Sequence, residues 1–213
     1  MTQPATNTLF SIDALRVERG AQCLVEGLSF KLAAGEILVL RGPNGSGKTS
    51  LLRVLAGIAR PNAGTLEAAG QTSLADPAAY AQHIAYWGHR DGFKPEFSVQ
   101  ANLVQWCALA GEPYDAGLLA GVGLAEKAET PTRFLSAGQR RRLGLARLLG
   151  QRAKIWVLDE PFTALDKDGR ALVHRLLQAH CGDGGCAILA LHEPLEGLAH
   201  ARLTLGAAAQ EAV

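Results

Sequence analysis

Apolar and polar positions alternate with period two over residues 10–17, and again over 27–32, where Leu28, Phe30 and Leu32 share one face. Both stretches predict half-buried strands of an antiparallel kind, closed by a turn at Ala34 and Gly35. Residues 36–40 then read as a short buried strand and 50–56 as a helix with apolar side chains at helical spacing. A turn at 60–64 leads to another short strand over 65–70, and residues 83–88 form a further strand that ends in Gly88-His89-Arg90-Asp91-Gly92. From Val99 the period changes to that of a helix, with Ser98 as the N-cap of a helix over 99–106 and further helices over 118–122 and 138–149. Two uninterrupted apolar runs, 154–158 and 187–191, predict strands of a parallel sheet covered on both faces. Between them residues 167–180 form a helix with Leu172, Val173, Leu176 and Leu177 on one face. Residues 202–205 suit a last edge strand, and the Ala-rich tail at 207–209 suits a frayed end.

This order of elements predicts one α/β domain. Residues 1–87 and 151–213 supply a nucleotide-binding core with an antiparallel β subdomain, and 88–150 an inserted helical subdomain. Lys and Arg number 21 against 20 for Asp and Glu, so no strong field draws the chain to nucleic acid or to anionic lipid. The polar start predicts no secretory signal, and no apolar run approaches the roughly 20 residues of a membrane helix. Membrane association therefore requires a partner. Cys23, Cys107, Cys181 and Cys186 lack paired Cys-x-x-Cys spacing and read as reduced thiols rather than as a metal site with His180.

The chemistry begins at Gly42-Pro43-Asn44-Gly45-Ser46-Gly47-Lys48-Thr49, which fits G-x-x-x-x-G-K-[ST] between a strand and a helix. Its glycines let successive backbone N–H groups curl round a phosphate, and the new helix points its positive end at the same anion. The pattern predicts nucleotide binding, with Lys48 on the β- and γ-phosphates and the Thr49 hydroxyl on Mg²⁺. The buried run that precedes Asp159 and Glu160 ends in two carboxylates that leave the strand in different directions. Asp159 is suited to hold Mg²⁺ and Glu160 to polarise an attacking water. Ser136 and Gln139 fit a capping box at a helix start, and that N-terminus, with Gly138, is a second anion site. The arginines at 140–142 and 147 equally suit a solvated helix face.

The P-loop, Leu135-Ser136-Ala137-Gly138-Gln139, Asp159-Glu160, Ala164-Leu165-Asp166 and His192 follow one another in the order seen in ABC-transporter ATPase subunits. The resemblance spans essentially the whole chain. It implies a P-loop ATPase acting as a head-to-tail homodimer. Each ATP would lie between the P-loop of one copy and Ser136, Ala137, Gly138 and Gln139 of the other. It also implies that residues 164–166 form the D-loop, with Asp166 at the dimer interface, and that His192 contacts the γ-phosphate.

Two positions depart from the family pattern. His89 stands at the usual glutamine of the Q-loop, where it can still bind water near Mg²⁺, and Arg19 replaces the aromatic that stacks on adenine. Ala137 also stands where the signature usually has glycine. These variants, and the short chain, resemble the ATPase subunits of bacterial cytochrome c maturation. That likeness implies CcmB-like and CcmC-like membrane subunits, a haem-chaperone system and a place on the cytoplasmic face of the inner membrane. Rival readings are another small ABC exporter, a soluble ABC ATPase on DNA or ribosomes, and a module that binds ATP without hydrolysing it.

Overall fold

The computed structural model describes residues 8–89 and 91–206. The polar start, Arg90 and the Ala-rich tail of the sequence reading lie outside the described residues.

The chain opens with β1 (Thr8–Arg19) and β2 (Gln22–Ala33), a long antiparallel hairpin turned at Gly20. The short β3 (Ile37–Arg41) follows, then α1 (Lys48–Leu55), β4 (Ala63–Ala68) and β5 (Gln71–Thr72). Next come α2 (Pro77–Gln82), β6 (Ile84–Trp87), α3 (Val99–Leu109), α4 (Gly117–Gly121) and α5 (Ala137–Gln151). The chain then returns through β7 (Ile155–Asp159), α6 (Lys167–Gly182), β8 (Cys186–Ala190) and β9 (Ala201–Thr204). Two sheets result. One is antiparallel with strand order β2-β1-β4-β5, the other parallel with order β6-β7-β8-β3-β9.

The parallel strands are apolar on both faces, and alternate residues serve different layers. Leu38, Leu40, Ile155, Val157, Ile188 and Ala190 pack with α1 and the antiparallel sheet. Ile37, Val39, Trp156, Leu158, Ala187 and Leu189 pack with side chains of α3, α5 and α6. The helices between β6 and β7 thus share a core with the sheet. Gly144 of α5 permits a close approach, since a Cβ there would lie 2.6 Å from the indole of the fully buried Trp87. At the far end of the sheet Trp156 stacks on His180, ring centroids 4.0 Å apart, and burial holds that imidazole below its ordinary pKa.

Several features go beyond the sequence pattern. Helix α2 is six residues long, capped by the Asp76 side chain on the amides of Ala78 and Ala79, with Pro77 in its first turn. An Ala-rich turn of that length carries no apolar period. Its one large apolar residue, Tyr80, is fully buried and donates its hydroxyl to the Leu55 carbonyl at 2.5 Å, closing the end of α1. The alternation in β1 breaks at Ala14, whose φ of 46° accompanies a register shift against both neighbours. Helix α1 starts at Lys48, two residues before the apolar period does, because the P-loop itself makes the turn into the helix.

Candidate functional site

The carboxyl ends of β3, β7 and β8 converge on one cleft, the usual place for a ligand in an open α/β sheet. The turn out of β3 depends on glycine. Gly42 has φ 146°, and a Cβ there would lie 2.6 Å from Ser46 Oγ and 2.7 Å from the Leu205 carbonyl. Gly47, at φ 96°, caps α1 without any side-chain acceptor, so the first amides of the helix face the loop. Lys48, 7% exposed, donates from Nζ to the carbonyls of Gly42 at 2.7 Å and Pro43 at 3.0 Å. Thr49 donates its hydroxyl to Asp159 Oδ2 at 2.8 Å, which brings two hard oxygen atoms together, the donor type that Mg²⁺ prefers.

Asp159 is buried at the end of β7, and burial raises its carboxyl above the ordinary range. The Thr49 hydrogen bond and the charges of His89 and Lys48 pull the other way, while Glu160 adds to the rise. Glu160 leaves the strand in a left-handed conformation, φ 51°, which turns its side chain away from that of Asp159. Its Oε1 lies 2.7 Å from His192 Nε2, and its Oε2 accepts from the Thr163 hydroxyl at 3.2 Å. His192 follows β8, and its carbonyl accepts from Arg41 Nη1 at 2.6 Å. The cleft between these groups, about 220 Å³, is lined by Asn44, Gly45, Gly47, Lys48, Thr49, Glu160 and His192. Arg19 lies at its β-hairpin wall with Gln22 and Leu24.

The second predicted anion site lies elsewhere in the same chain. Ser136 Oγ accepts from the Gln139 amide, and Gln139 Oε1 accepts from the Ser136 amide, a complete capping box at the start of α5. Ala137 and Gly138 form the first turn beside the Ala164 carbonyl. Asp166 caps α6 through the Gly169 amide at 2.8 Å and meets Arg142 at 3.1 Å. That amide first, and then Arg142, hold its carboxyl below the ordinary range. None of Ser136, Ala137, Gly138, Gln139 and Asp166 lines the cleft with Lys48. His89 is exposed, near enough for its charge to be felt at Asp159.

The arginine run is only in part the solvated helix face expected of it. Arg140 is exposed, whereas Arg141 and Arg147 are buried. Arg147 donates to the carbonyls of Tyr86 and Asp91 and lies over the Trp106 ring at 4.5 Å. Burial lowers its guanidinium pKa to about 10. Sequence reasoning missed Gln22, Leu24, Arg41 and Arg141. A faint signal for Arg41 was there: a lone arginine between an apolar strand and the P-loop.

The family model for the ABC transporter matches residues 25–163. A relative from Rhodopseudomonas palustris strain HaA2, the cytochrome c biogenesis ATP-binding export protein CcmA, is 48% identical over 92% of this chain and 96% of its own. The fold is similar to an ATP-binding subunit of an ABC transporter, with TM-score 0.85 and 21% identity over 93% of this chain and 86% of that one. It is also similar to an ATP-binding cassette solved as a dimer in a post-hydrolysis state bound to ADP and Pi. There the TM-score is 0.82 and the identity 18%, over 92% of this chain and 94% of that one. From the P-loop through Glu160 to the far end of the sheet, sequence and fold agree on one assignment: this chain belongs to the ABC transporter family.

Proposed function

We propose that this chain hydrolyses ATP for a membrane complex of cytochrome c biogenesis that exports haem or releases a haem-loaded chaperone. The ATPase reading rests on one observation: the P-loop, Glu160 and His192 meet around a single cleft. In this reading the nucleotide phosphates lie at the N-terminus of α1. Lys48 exchanges the Gly42 and Pro43 carbonyls for phosphate oxygens. Thr49 and Asp159 are the oxygen donors for Mg²⁺, which when bound offsets phosphate charge. Glu160, steadied by His192 and Thr163, orients the attacking water, and His192 reaches the terminal phosphate. Arg19 offers its guanidinium plane to the base, and His89 would offer a ring nitrogen to water near Asp159.

The cleft is smaller than the roughly 300–1,000 Å³ usual for a small-molecule site, as suits half of a shared one. A second copy, stacked head to tail, supplies Ser136, Ala137, Gly138, Gln139 and Asp166 across a closed two-fold interface. Among the described residues no helix is long and apolar enough to cross a membrane. The chain then works at the cytoplasmic face of the inner membrane through CcmB-like and CcmC-like subunits, with a haem chaperone downstream. Residues 88–150 are the helical subdomain on which those subunits dock, against a core of 1–87 and 151–213. The cytochrome c role is supported by the relative's name and by the extent of the identity.

The test is a gene deletion restored with wild type, Lys48→Ala or Glu160→Gln, followed by staining of membranes for covalent haem. Only the wild type should restore c-type cytochromes. Purified Glu160→Gln should keep ATP while losing about 10²–10⁴-fold in kcat. Cytochromes that persist in the deletion would assign the ATPase to another cargo. Hydrolysis at the wild-type rate by Glu160→Gln would remove Glu160 from its role.

A further inference from the structure

Arg141 lies on α5, two residues beyond the signature Ser136-Ala137-Gly138-Gln139, and its side chain is 8% exposed. It runs under the sheet edge with its guanidinium over the Trp87 ring, 4.3 Å from the centroid. Its three nitrogens meet three different carbonyls, two of them in the turn that follows β7. Nη2 donates to the Glu160 carbonyl at 2.6 Å, Nε to the Thr163 carbonyl at 3.4 Å and Nη1 to the Gly88 carbonyl at 3.5 Å. Asp91 balances the charge, its Oδ1 3.7 Å from Nη1.

The short bond falls on the one residue of the cleft whose side-chain direction depends on an unusual backbone. Glu160 is left-handed at φ 51°, a conformation that a non-glycine residue keeps only when its surroundings hold it there. Its amide is tied to the Ala190 carbonyl at 3.1 Å and its own carbonyl to Arg141. Thr163, whose carbonyl meets the same guanidinium, donates its hydroxyl to the Glu160 carboxylate. A planar, always-charged fork stacked on an indole suits this task, because its donors diverge in a fixed plane. Lysine offers a point charge with no such plane.

We propose that Arg141 is a positioning residue for ATP hydrolysis: it fixes the backbone of Glu160 and Thr163 and so aims the Glu160 carboxylate at the attacking water. It does not itself line the cleft with Lys48. The inference rests on the ATPase reading above.

The test uses the full chain, purified with its membrane subunits, as wild type, Arg141→Lys, Arg141→Gln, Glu160→Gln and the two double variants. The readouts are ATP turnover, single-turnover hydrolysis and affinity for a fluorescent ATP analogue. Thermal melts verify that each variant is folded, and Arg141→Gln, close to the shape of the arginine stem, stands in where Arg141→Lys is not. A misplacement of the order of 1 Å in a catalytic group costs about 10²-fold. The single Arg141 variants should therefore lose about 10- to 100-fold in kcat, with KM and analogue affinity within about twofold of wild type. In the Glu160→Gln background the same substitutions should cost almost nothing, because the group they aim is already gone. Two results would overturn the proposal: undiminished kcat in folded Arg141 variants, or an equal loss with and without the Glu160 carboxylate. A wild-type complex without ATP turnover would instead sink the ATPase reading itself.

Discussion

Two helix N-termini in this molecule are built in opposite ways. At α1 the cap is Gly47, which offers no side-chain acceptor, and the amides of the first turn face a loop that also holds Lys48. At α5 the cap is Ser136, and the reciprocal Ser136–Gln139 box already satisfies two of the donors. The first end is organised for a ligand. The second is organised as a helix, and it serves a ligand only by sharing donors that its own cap now uses. Conformation carries the same contrast. The P-loop needs left-handed glycines that no other residue replaces, whereas the turn into α5 uses extended backbone at Ser136, φ −63° and ψ 164°.

The largest expected effect lies at the α1 end. Lys48→Ala removes the one cation of the loop and, with it, a charge-assisted contact worth about 1.5–3 kcal/mol, so affinity for a fluorescent ATP analogue should fall at least about 10-fold. Unchanged affinity would erase the contrast, since the loop amides alone would then suffice. At the α5 end, Ser136→Ala should behave as a cap loss, costing about 1 kcal/mol. For a chain of this size that is about 2–4 °C in Tm, read by thermal melting, with analogue affinity in the isolated chain unaltered. A loss of affinity there would mean that α5 contributes to the site within its own copy.

The smallest effect is one of sign, between two aspartates. Asp159, beside the first turn of α1, has a carboxyl raised by burial, so ionising it opposes folding. Its penalty is absent below the ordinary aspartate value of about 3.9 and grows as pH rises through its elevated one. Asp166, near α5, has a carboxyl lowered first by the Gly169 amide and then by Arg142. Its stabilisation is present above that ordinary value and fades as pH falls through the depressed one. Denaturant titrations of the nucleotide-free chain at neutral pH should therefore find Asp159→Asn more stable than wild type and Asp166→Asn less stable. The Asp159 difference should shrink as the solution is acidified toward pH 4, whereas the Asp166 difference should persist there and fade only at lower pH. Equal signs at neutral pH would show that the two carboxylates are not set apart by their surroundings.

Much of this was legible in the sequence, for reasons that can be named. The strands around the P-loop were readable because a parallel strand covered on both faces is a bare apolar run, as in residues 154–158 and 187–191. The capping box was readable because both partners are side chains at fixed spacing, Ser136 and Gln139. Helix α2 was not, because six residues rich in alanine carry no period and its anchor is a phenol on a distant carbonyl. Arg41 and Arg141 stayed hidden for a related reason. What they bind are the carbonyls of His192, Glu160 and Thr163, and a carbonyl has no letter in the sequence. The burial of Arg147 between Tyr86, Asp91 and Trp106 was masked in the same way by the charged run around it.

Each of the three tryptophans in the chain has a polar neighbour on the face of its ring: Arg141 over Trp87, Arg147 over Trp106 and His180 against Trp156. The first indole lies beside the arm that reaches Glu160, the second beside the loop leaving β6, the third at the opposite end of the parallel sheet. The molecule thus carries its own optical reporters, two near the working parts and one as an internal reference. With single Trp→Phe variants to separate the signals, ultraviolet excitation can follow rearrangement around the cleft in unlabelled protein.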